Sequence, residues 1–430
     1  MKFHRNNIQR CWPINIYLIY LHAAAIEAGG KYPGGTVPES SRMPTTCRIS
    51  ANDHRLRYRG AISLQELPDG IAPWRVPHRE ARLFLPQGGI GRAAMPAGVR
   101  VTFRTDSRSV GCAYRAQPPP ELPSPPPEVA TMDVRVDGEL VSTTELRVDG
   151  GAAETTVRDL PPGEHLIEIW LPFFSQIVVS GILLDEGASL TRDEGEAPRW
   201  THFGSSISQG RGAVSPSRTW AALTSRDAGL DLTLTAMGGG CQIQPMFGRL
   251  IRDLPADVIT LCLGINPHYF SSLNAETYQP NLIGFLRLIR ERHPATPIAV
   301  ISSIYSPLRE NRPNDVKLTL ADYRVHTADA VHLLCENGDQ MLTYVNGLDL
   351  FGPADAEHML ERIEADPVHL GPSGHILFAH RFHRLLDLLT KADALPADLS
   401  PALSSPPVTP ATAAPVSSPR QGAARSARNS

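Results

Sequence analysis

The 430-residue sequence has no strong excess of charge of either sign. Its 41 lysines and arginines nearly balance its 44 aspartates and glutamates, which leaves a formal net charge of -3. A strongly basic face for nucleic acid or an anionic membrane is therefore not expected. The apolar run at residues 14–26 is interrupted by Asn15 and His22 and is too short to span a bilayer as a typical helix. We expect neither a nucleic-acid partner nor stable membrane insertion.

Metal-ligand and disulfide patterns are also missing. The cysteines are widely spaced and form no C-x-x-C pair: Cys11, Cys47, Cys112, Cys241, Cys262 and Cys335. No His-Glu-x-x-His motif accompanies them, so we expect no metal site and reduced thiols.

Residues 1–47 lack the patterning of a domain. Basic residues precede the apolar run, and Ala23–Ala25 resembles a signal-peptide cleavage site, so secretion is one alternative. The other is a disordered extension, because domain-like patterning starts only after Met43. We favour the extension and, with it, a cytoplasmic protein.

Residues 48–192 predict an all-β domain. Short runs such as Val101–Thr105 and His165–Trp170 alternate apolar and polar side chains, and Asp137-Gly138 is a strong hairpin signal. Because no helical period appears between these runs, we expect a β-sandwich of jelly-roll type. The proline-rich stretch 118–127 is expected to be a surface loop.

Residues 198–390 change to alternating strands and helices. The predicted strands are Trp200–Phe203, Leu232–Ala236, Val258–Leu263, Ile298–Ser302 and Leu342–Val345. The predicted helices are Thr219–Ala228, Pro245–Leu254, Tyr278–Arg292, Leu320–Glu336 and Ser373–Leu389. This alternation predicts an α/β domain whose parallel sheet is covered on both faces and binds ligands at the carboxyl ends of its strands. Residues 391–430, rich in Pro, Ala and Ser, are expected to be disordered.

Ser206 is the candidate nucleophile. It follows a predicted strand within Phe203–Arg211, where small residues allow a sharp turn that exposes the hydroxyl. A serine needs a neighbouring base to take its proton, and its own backbone N–H can face the developing oxyanion. The alternative is an anion-binding loop entering a helix, although no Gly-Lys-Ser/Thr ending marks it as a P-loop.

Two further turns carry candidate oxyanion donors. Met237-Gly238-Gly239-Gly240-Cys241 follows the second strand, and the N–H of Gly239 is our choice among the three glycines, with Gly238 and Gly240 left open. Asn266 follows the third strand and offers a neutral amide donor. A plain glycine turn and a turn-forming asparagine are the alternatives. We interpret Cys241 as a small buried thiol and not as a nucleophile.

Asp366 and His369 form the candidate acid–base pair. They lie three positions apart in a Pro- and Gly-bounded loop before the last predicted helix, so Asp366 could hold Nδ1 of the ring while Nε2 faces the serine. Asp355 and His358 have the same spacing, but we place them on a solvated helix face. We therefore favour Asp366 and His369.

In this order Ser206, Gly239, Asn266 and His369 resemble the residues that name the SGNH (GDSL-type) hydrolase family, with Asp366 as the triad carboxylate. The resemblance implies a flavodoxin-like three-layer α/β/α fold, ester hydrolysis or acyl transfer, an oxyanion hole of Ser206, Gly239 and Asn266, and no cofactor. The upstream β-domain is similar to that of the two-domain branch, which includes carbohydrate esterases and polyketide-tailoring acyltransferases. The implied partner is a small-molecule ester, on a carbohydrate or a polyketide.

The sequence departs from the family pattern in three places, one of which is the glycine block, where the asparagine often found near its start is absent. The usual Gly-Asp-Ser is Gly204-Ser205-Ser206, and Pro267 follows Asn266 where Asp is common. Two other classes stay open: a glycan-binding protein with a silent α/β domain, and a phosphate- or flavin-binding protein that uses the Ser206 loop. Neither explains why Asn266, Asp366 and His369 accompany the serine.

Overall fold

The computed structural model describes residues 46–85, 91–118, 129–361, 367–392 and 394–404. The predicted N-terminal extension, apart from its last two residues, and nearly all of the proline-rich loop lie outside this part of the chain. Within it, no helix is both long and apolar enough to cross a bilayer.

The N-terminal half forms two antiparallel sheets. Its strands are β1 Thr46–Ser50, β2 Arg57–Arg59, β3 Ser63–Leu67, β4 Gly70–Trp74, β5 Arg100–Thr105, β6 Val110–Gln117, β7 Thr131–Val136, β8 Glu139–Glu145, β9 Ala152–Val157, β10 His165–Trp170 and β11 Gln176–Asp185. One sheet has the order β3-β4-β11-β6-β9, with β1 also paired to β11, and the other has the order β2-β5-β10-β7-β8. Asp137 and Gly138 turn the β7–β8 hairpin, as predicted.

A shared core lies between the two sheets. Phe103 and Ile167 come from one sheet, Tyr114 and Ile182 from the other, and all four belong to one buried cluster. Each strand contributes alternate side chains because successive residues point to opposite faces of a sheet. The predicted β-sandwich is confirmed.

The C-terminal half contains a five-stranded parallel sheet. Its strands are β12 Arg199–Phe203, β13 Asp231–Leu234, β14 Val258–Cys262, β15 Ile298–Ile301 and β16 Leu342–Val345, in the order β13-β12-β14-β15-β16. Strand β12 is thus the second strand of the sheet, with β13 on one side and β14 on the other. All three strands end at the same edge, where the predicted site residues follow them.

Helices cover both faces of this sheet. They are α1 Ser206–Gln209, α2 Trp220–Asp227, α3 Pro245–Asp253, α4 Ile265–Phe270, α5 Ala275–Arg290, α6 Leu320–Glu336, α7 Gly347–Leu350, α8 Pro372–Thr390 and α9 Ser400–Ser404. Helices α3, α5 and α6 bury their apolar sides in one core cluster, and α2 and α8 bury theirs in the other. Alternate residues of β15 enter opposite clusters: Val300 joins the first and Ala299 the second. The predicted three-layer α/β/α fold is confirmed.

The ordered chain continues beyond the predicted start of the disordered tail. Leu395, Leu399 and Leu403 are buried in the core cluster beside α8, and the N–H of Leu399 donates to Tyr344 O at 3.0 Å. The expectation of disorder from residue 391 is therefore wrong for residues 394–404, because the three leucines of this segment are buried against the sheet domain. Residues 405–430 lie outside the described part.

Buried polar groups join the two halves. Arg59 and Arg100 of the sandwich both pair with Asp231 at the start of β13, at 2.9 and 2.6 Å. Asp133 in β7 accepts hydrogen bonds from the Ser215 hydroxyl at 2.7 Å and the Ser217 N–H at 2.8 Å, in the loop before α2. Charged groups that lose water in this way are stabilised only when they are paired. The sandwich is therefore fixed against the loops that carry the site.

Candidate active site

Ser206 lies where the chain leaves β12 and enters α1. The preceding Gly204 is essential to this turn, because a β-carbon there would lie 2.2 Å from Ser208 Oγ. The Ser205 hydroxyl caps the helix by accepting the N–H of Ile207 at 3.2 Å. As the first residue of α1, Ser206 has a backbone N–H with no acceptor inside the helix. A serine hydroxyl and an N–H for which no described residue is the acceptor thus lie at the same edge of the sheet.

His369 reaches the serine from the loop before α8. Its Nε2 lies 2.8 Å from Ser206 Oγ, although the two residues are 163 positions apart. This is the distance of a direct hydrogen bond between a hydroxyl and an imidazole. The geometry allows the ring to take the hydroxyl proton if Nδ1 carries the other ring hydrogen.

Glu361 lies at the other side of the imidazole. Its Oε1 is 2.5 Å from His369 Nδ1, and its Oε2 accepts the backbone N–H groups of His369 at 3.0 Å and Val368 at 3.2 Å. We had predicted Asp366 for this position, and Asp366 itself lies outside the described residues. The carboxylate that the structure brings to Nδ1 is that of Glu361.

The ionisation of Glu361 suits this contact. Burial alone favours the neutral acid, but the hydrogen bonds and charge of His369, with the N–H of Val368, outweigh it and lower the pKa of Glu361 to about 2. The carboxylate is therefore charged at neutral pH and accepts the Nδ1 hydrogen. This fixes the tautomer in which Nε2 has a free lone pair for the serine.

A short two-stranded pairing brings Glu361 to the ring. The N–H of Leu360 donates to His369 O at 2.8 Å, and that of Gly371 donates to His358 O at 2.8 Å. Met359 and Leu370 form an antiparallel bridge between these bonds. We had interpreted this charged segment as a solvated helix face. Instead, the extended backbone at Met359 and Leu360 places Glu361 opposite His369.

Gly239 is the one glycine of its loop whose N–H has no acceptor among the described residues. The N–H of Gly238 donates to Gln209 Oε1 at 2.8 Å, and that of Gly240 donates to Met237 O at 2.9 Å. Gly239 has a φ of 69°, a conformation that glycine adopts without strain. The geometry therefore favours Gly239, among the three glycines, as an oxyanion donor.

Asn266 is buried in the first turn of α4, where we had predicted a turn. Its Oδ1 accepts the N–H of Cys241 at 3.0 Å. This bond fixes the orientation of the amide, because only the oxygen can accept. The Nδ2 group is then left as a donor on the β14 side of Ser206. Pro267 is compatible with this first helical turn, where its missing N–H breaks no helical bond.

In the alternative aspartate–histidine pair, Asp355 and His358, each side chain contacts a different residue. Asp355 is buried and pairs with Arg381 at 2.6 Å, while His358 Nδ1 lies 2.9 Å from Ser373 Oγ. His375 is buried behind the site, where its Nδ1 accepts the N–H of Trp220 at 3.0 Å. These residues hold the loops around α8 and do not contact Ser206.

The thiol of Cys241 is buried beside Asn266. Burial raises its pKa well above the ordinary value for cysteine, so it stays protonated and is a poor nucleophile. This agrees with our interpretation of Cys241 as a small buried side chain.

Glu361 and Arg92 were missed by sequence reasoning. Glu361 is eight residues before His369, and no short motif spacing links the two. Arg92 belongs to the sandwich domain, yet its Nη1 would lie only 2.9 Å from a β-carbon at Gly239. A contact between domains leaves no periodic signal in the sequence.

The fold and this arrangement define a class of protein: an SGNH-type α/β hydrolase with a β-sandwich in front, which is an esterase or a related acyltransferase. Two family models support this class. The SsfX3 N-terminal domain matches residues 56–180, and the GDSL-like lipase/acylhydrolase family matches residues 202–377. The chain belongs to the GDSL-like lipase/acylhydrolase family, in the branch that carries the SsfX3-type N-terminal domain.

Solved structures share the whole two-domain architecture. The salicylyl-acyltransferase SsfX3 from a tetracycline biosynthetic pathway is 42% identical, with a TM-score of 0.76 over 82% of this chain and 100% of that chain. A putative GDSL-like lipase from Bacteroides ovatus is 17% identical, with a TM-score of 0.67 over 81% of this chain and 98% of that one. A family two carbohydrate esterase from Clostridium thermocellum is 14% identical, with a TM-score of 0.57 over 77% and 97%. The last two support the fold alone. No match was found among curated proteins.

Proposed function

We propose that this protein moves an acyl group through a covalent ester on Ser206. His369 Nε2 takes the hydroxyl proton while Oγ attacks the carbonyl carbon of the substrate ester. The tetrahedral intermediate then collapses, its carbon–oxygen bond to the leaving alcohol breaks, and His369 returns the proton to that alcohol. A water or a second alcohol, deprotonated in turn by His369, attacks the acyl-serine. The bond from the acyl carbon to Ser206 Oγ then breaks, and His369 returns the proton to Oγ, which releases the product and restores Ser206.

Glu361 and the oxyanion donors have separate roles in this proposal. Glu361 holds the Nδ1 hydrogen and stabilises the imidazolium that forms in each step. The backbone N–H groups of Ser206 and Gly239 and the side-chain amide of Asn266 stabilise the negative charge on the carbonyl oxygen. The observation that supports the proposal most is a continuous chain of contacts. Ser206 Oγ lies 2.8 Å from His369 Nε2, and His369 Nδ1 lies 2.5 Å from Glu361 Oε1.

An alcohol acceptor in place of water is the second candidate. It is favoured by the 42% identity to a salicylyl-acyltransferase whose whole chain is covered. In this version the acyl-serine is attacked by a hydroxyl of a small molecule, such as a polyketide or a carbohydrate. The chemistry at Ser206 is the same in both versions, and only the nucleophile of the second half-reaction differs.

A fluorophosphonate probe tests the acyl-serine. We expect stoichiometric labelling of the wild type and none of Ser206→Ala, because the probe reacts with serines activated by a base. Peptide mapping should place the adduct on Ser206. A folded wild-type protein that stays unlabelled, or a labelled Ser206→Ala protein, would contradict the proposal.

A partition experiment distinguishes water from alcohol as acceptor. With p-nitrophenyl acetate as donor, rising concentrations of ethanol or a phenol should increase p-nitrophenolate release and replace acetate with the new ester. The release of p-nitrophenolate measures the first half-reaction. The ratio of the new ester to acetate measures how the acyl-enzyme divides between alcohol and water in the second. If acetate is the only product at every alcohol concentration, acyl transfer is wrong and hydrolysis is retained.

We also propose a cytoplasmic site of action. The described cysteines are free: Cys47, Cys112, Cys241, Cys262 and Cys335. Unpaired thiols are typical of a reducing compartment. The intact mass of the protein recovered from fractionated cells tests this, since a shortened N-terminus in the extracellular fraction would contradict it.

A further inference from the structure

Arg92 lies in a short 3-10 helix, Arg92–Ala94, of the sandwich domain, but its guanidinium reaches the glycine loop of the α/β domain. A β-carbon added at Gly239 would lie 2.9 Å from Arg92 Nη1. One added at Gly238 would lie 3.4 Å from Ser206 Cβ and 3.7 Å from Arg92 Nη1. The cation is therefore a close neighbour of both the candidate nucleophile and the oxyanion loop.

The guanidinium has no protein counter-charge in the part of the chain that the structure describes. Its Nε is buried, and no described residue forms a hydrogen bond with it. Burial lowers the pKa of Arg92 to about 10, and the side chain is still charged at neutral pH. Arg59, near the same domain boundary, pairs instead with Asp193 and Asp231 at 2.9 Å. A half-buried charge without a partner is costly and calls for one from outside the chain.

The backbone at Arg92 is held firmly. Arg75 Nη2 donates to Arg92 O at 3.0 Å, and Gln176 Nε2 donates to Gly91 O at 3.1 Å. Gly91 has a φ of 81°, which favours glycine and turns the chain just before the arginine. The side chain therefore projects from a fixed point, so less freedom is lost when it binds a ligand.

We propose that Arg92 binds an anionic group of the substrate, a carboxylate or a phosphate, next to the ester that Ser206 attacks. This inference rests on the acyl-serine chemistry proposed above. The planar guanidinium presents a fork of donors that matches either anion. Phe270 borders the same space, with Cζ 3.4 Å from the β-carbon position at Gly239, and supplies an apolar surface beside the charge.

Matched ester pairs test this assignment in the full-length protein. The first pair compares mono-p-nitrophenyl succinate with p-nitrophenyl butyrate, and its anionic member carries the negative charge on the acyl group. The second pair compares 4-acetoxybenzoate with its methyl ester, and its anionic member carries the charge on the leaving alcohol. A phosphate is tested by comparing inhibition by phenyl phosphate with inhibition by benzyl alcohol. For Arg92→Gln we expect kcat/KM of the anionic ester in one pair to fall about 10- to 100-fold more than that of its neutral partner. Arg92→Lys should recover part of the loss, because it keeps the charge without the fork.

Two control variants sharpen the comparison. Arg158→Gln makes the same chemical change at an exposed site of the sandwich, and we expect no change in charge preference. Arg211→Gln tests a second arginine near Ser206 whose Nε is also buried without a partner among the described residues. If the charge preference is lost in Arg211→Gln and kept in Arg92→Gln, the assignment to Arg92 is wrong.

The outcomes separate this inference from the proposed function. Preference in either ester pair assigns a carboxylate, and preference seen only with phenyl phosphate assigns a phosphate. An Arg92→Gln protein that loses activity equally on charged and neutral esters has lost only structural support for the loop, which overturns the inference. A wild type that hydrolyses neutral esters without any charge preference overturns it as well. Failure of the fluorophosphonate to label the wild type instead removes the proposed function.

Discussion

Glu361 Oε1 lies 2.5 Å from His369 Nδ1, and the second oxygen of the same carboxylate accepts the backbone N–H of His369 at 3.0 Å. One side chain thus orients both the imidazole ring and the loop that carries it. The bonds from His369 Nδ1 and from the backbone N–H groups of His369 and Val368 also explain why Glu361 stays charged although it is half-buried, since each of them favours the carboxylate form.

Replacing Glu361 by glutamine should lower kcat by about 10²- to 10⁴-fold. Glutamine keeps the shape and one acceptor oxygen, but it no longer carries the charge that stabilises the imidazolium, and its amide can favour the wrong tautomer. We would measure ester turnover and the rate of fluorophosphonate labelling, with circular dichroism to confirm folding.

Asp366→Asn is the matched control for this substitution. It tests the other carboxylate that the loop sequence suggests, and we expect turnover to stay within about threefold of the wild type, because Glu361 already holds Nδ1. A large loss in Asp366→Asn together with an active Glu361→Gln would restore Asp366 as the triad carboxylate.

Much of the fold could be predicted because its signals are local. The predicted bounds of Leu320–Glu336 and Leu342–Val345 agree with α6 and β16 in the structure. Alternation along the strands and a 3.6-residue period along the helices report burial on one side of each element. Helix α4 was missed because it is only six residues long, follows a glycine and contains Pro267.

The candidate site was harder to predict where two distant segments meet. Ser206, Gly239 and Asn266 could be proposed because each directly follows a strand of the sheet, and parallel strands end at a common edge. Glu361 depends on the antiparallel bridge between Met359 and Leu370, which carries no repeated pattern. Arg92 depends on how the sandwich packs on the sheet domain.

Asn266→Ala should lower kcat by about 10²- to 10³-fold with little change in KM, since the amide acts on the oxyanion and not on the ground state. It should also lower the free energy of unfolding by about 1–3 kcal/mol, because the buried N–H of Cys241 loses its acceptor. Asn266→Asp separates the two effects: it keeps an acceptor for Cys241 but places a negative charge near the oxyanion. We expect urea unfolding to show partial recovery of stability and turnover to stay low.

Arg75 links the sandwich to the oxyanion loop. It is fully buried and donates to the carbonyl oxygens of Met95, Ala236 and Arg92. Arg75→Met leaves these acceptors unpaired, so we expect the free energy of unfolding to fall by at least about 3 kcal/mol. Turnover should fall as well at temperatures where the variant is folded, because Ala236 leads directly into the glycine loop.

The partly exposed Arg115 provides the control for Arg75. It pairs with Asp69 at 2.6 Å on the sandwich surface, and Arg115→Met should change stability by less than about 1 kcal/mol. A folded Arg75→Met protein with wild-type turnover would show that the sandwich does not support the site.

Acid should destabilise the protein through two buried histidines. Burial lowers the pKa of His202 to about 3 and that of His375 to about 4, whereas both rings titrate near 6.5 in the unfolded chain. Between pH 6.5 and about pH 4 the unfolded state therefore binds protons that the folded state does not, and each ring reduces the free energy of unfolding by up to about 1.4 kcal/mol per pH unit. Urea unfolding at pH 7.5, 6.0 and 5.0 should show this fall in the free energy of unfolding. His202→Gln should remove the part of the pH dependence that comes from His202, even if the variant is less stable at pH 7.5. His54→Gln, at an exposed position, should leave the slope unchanged; an unaltered slope in His202→Gln would mean that this ring is not kept neutral by burial.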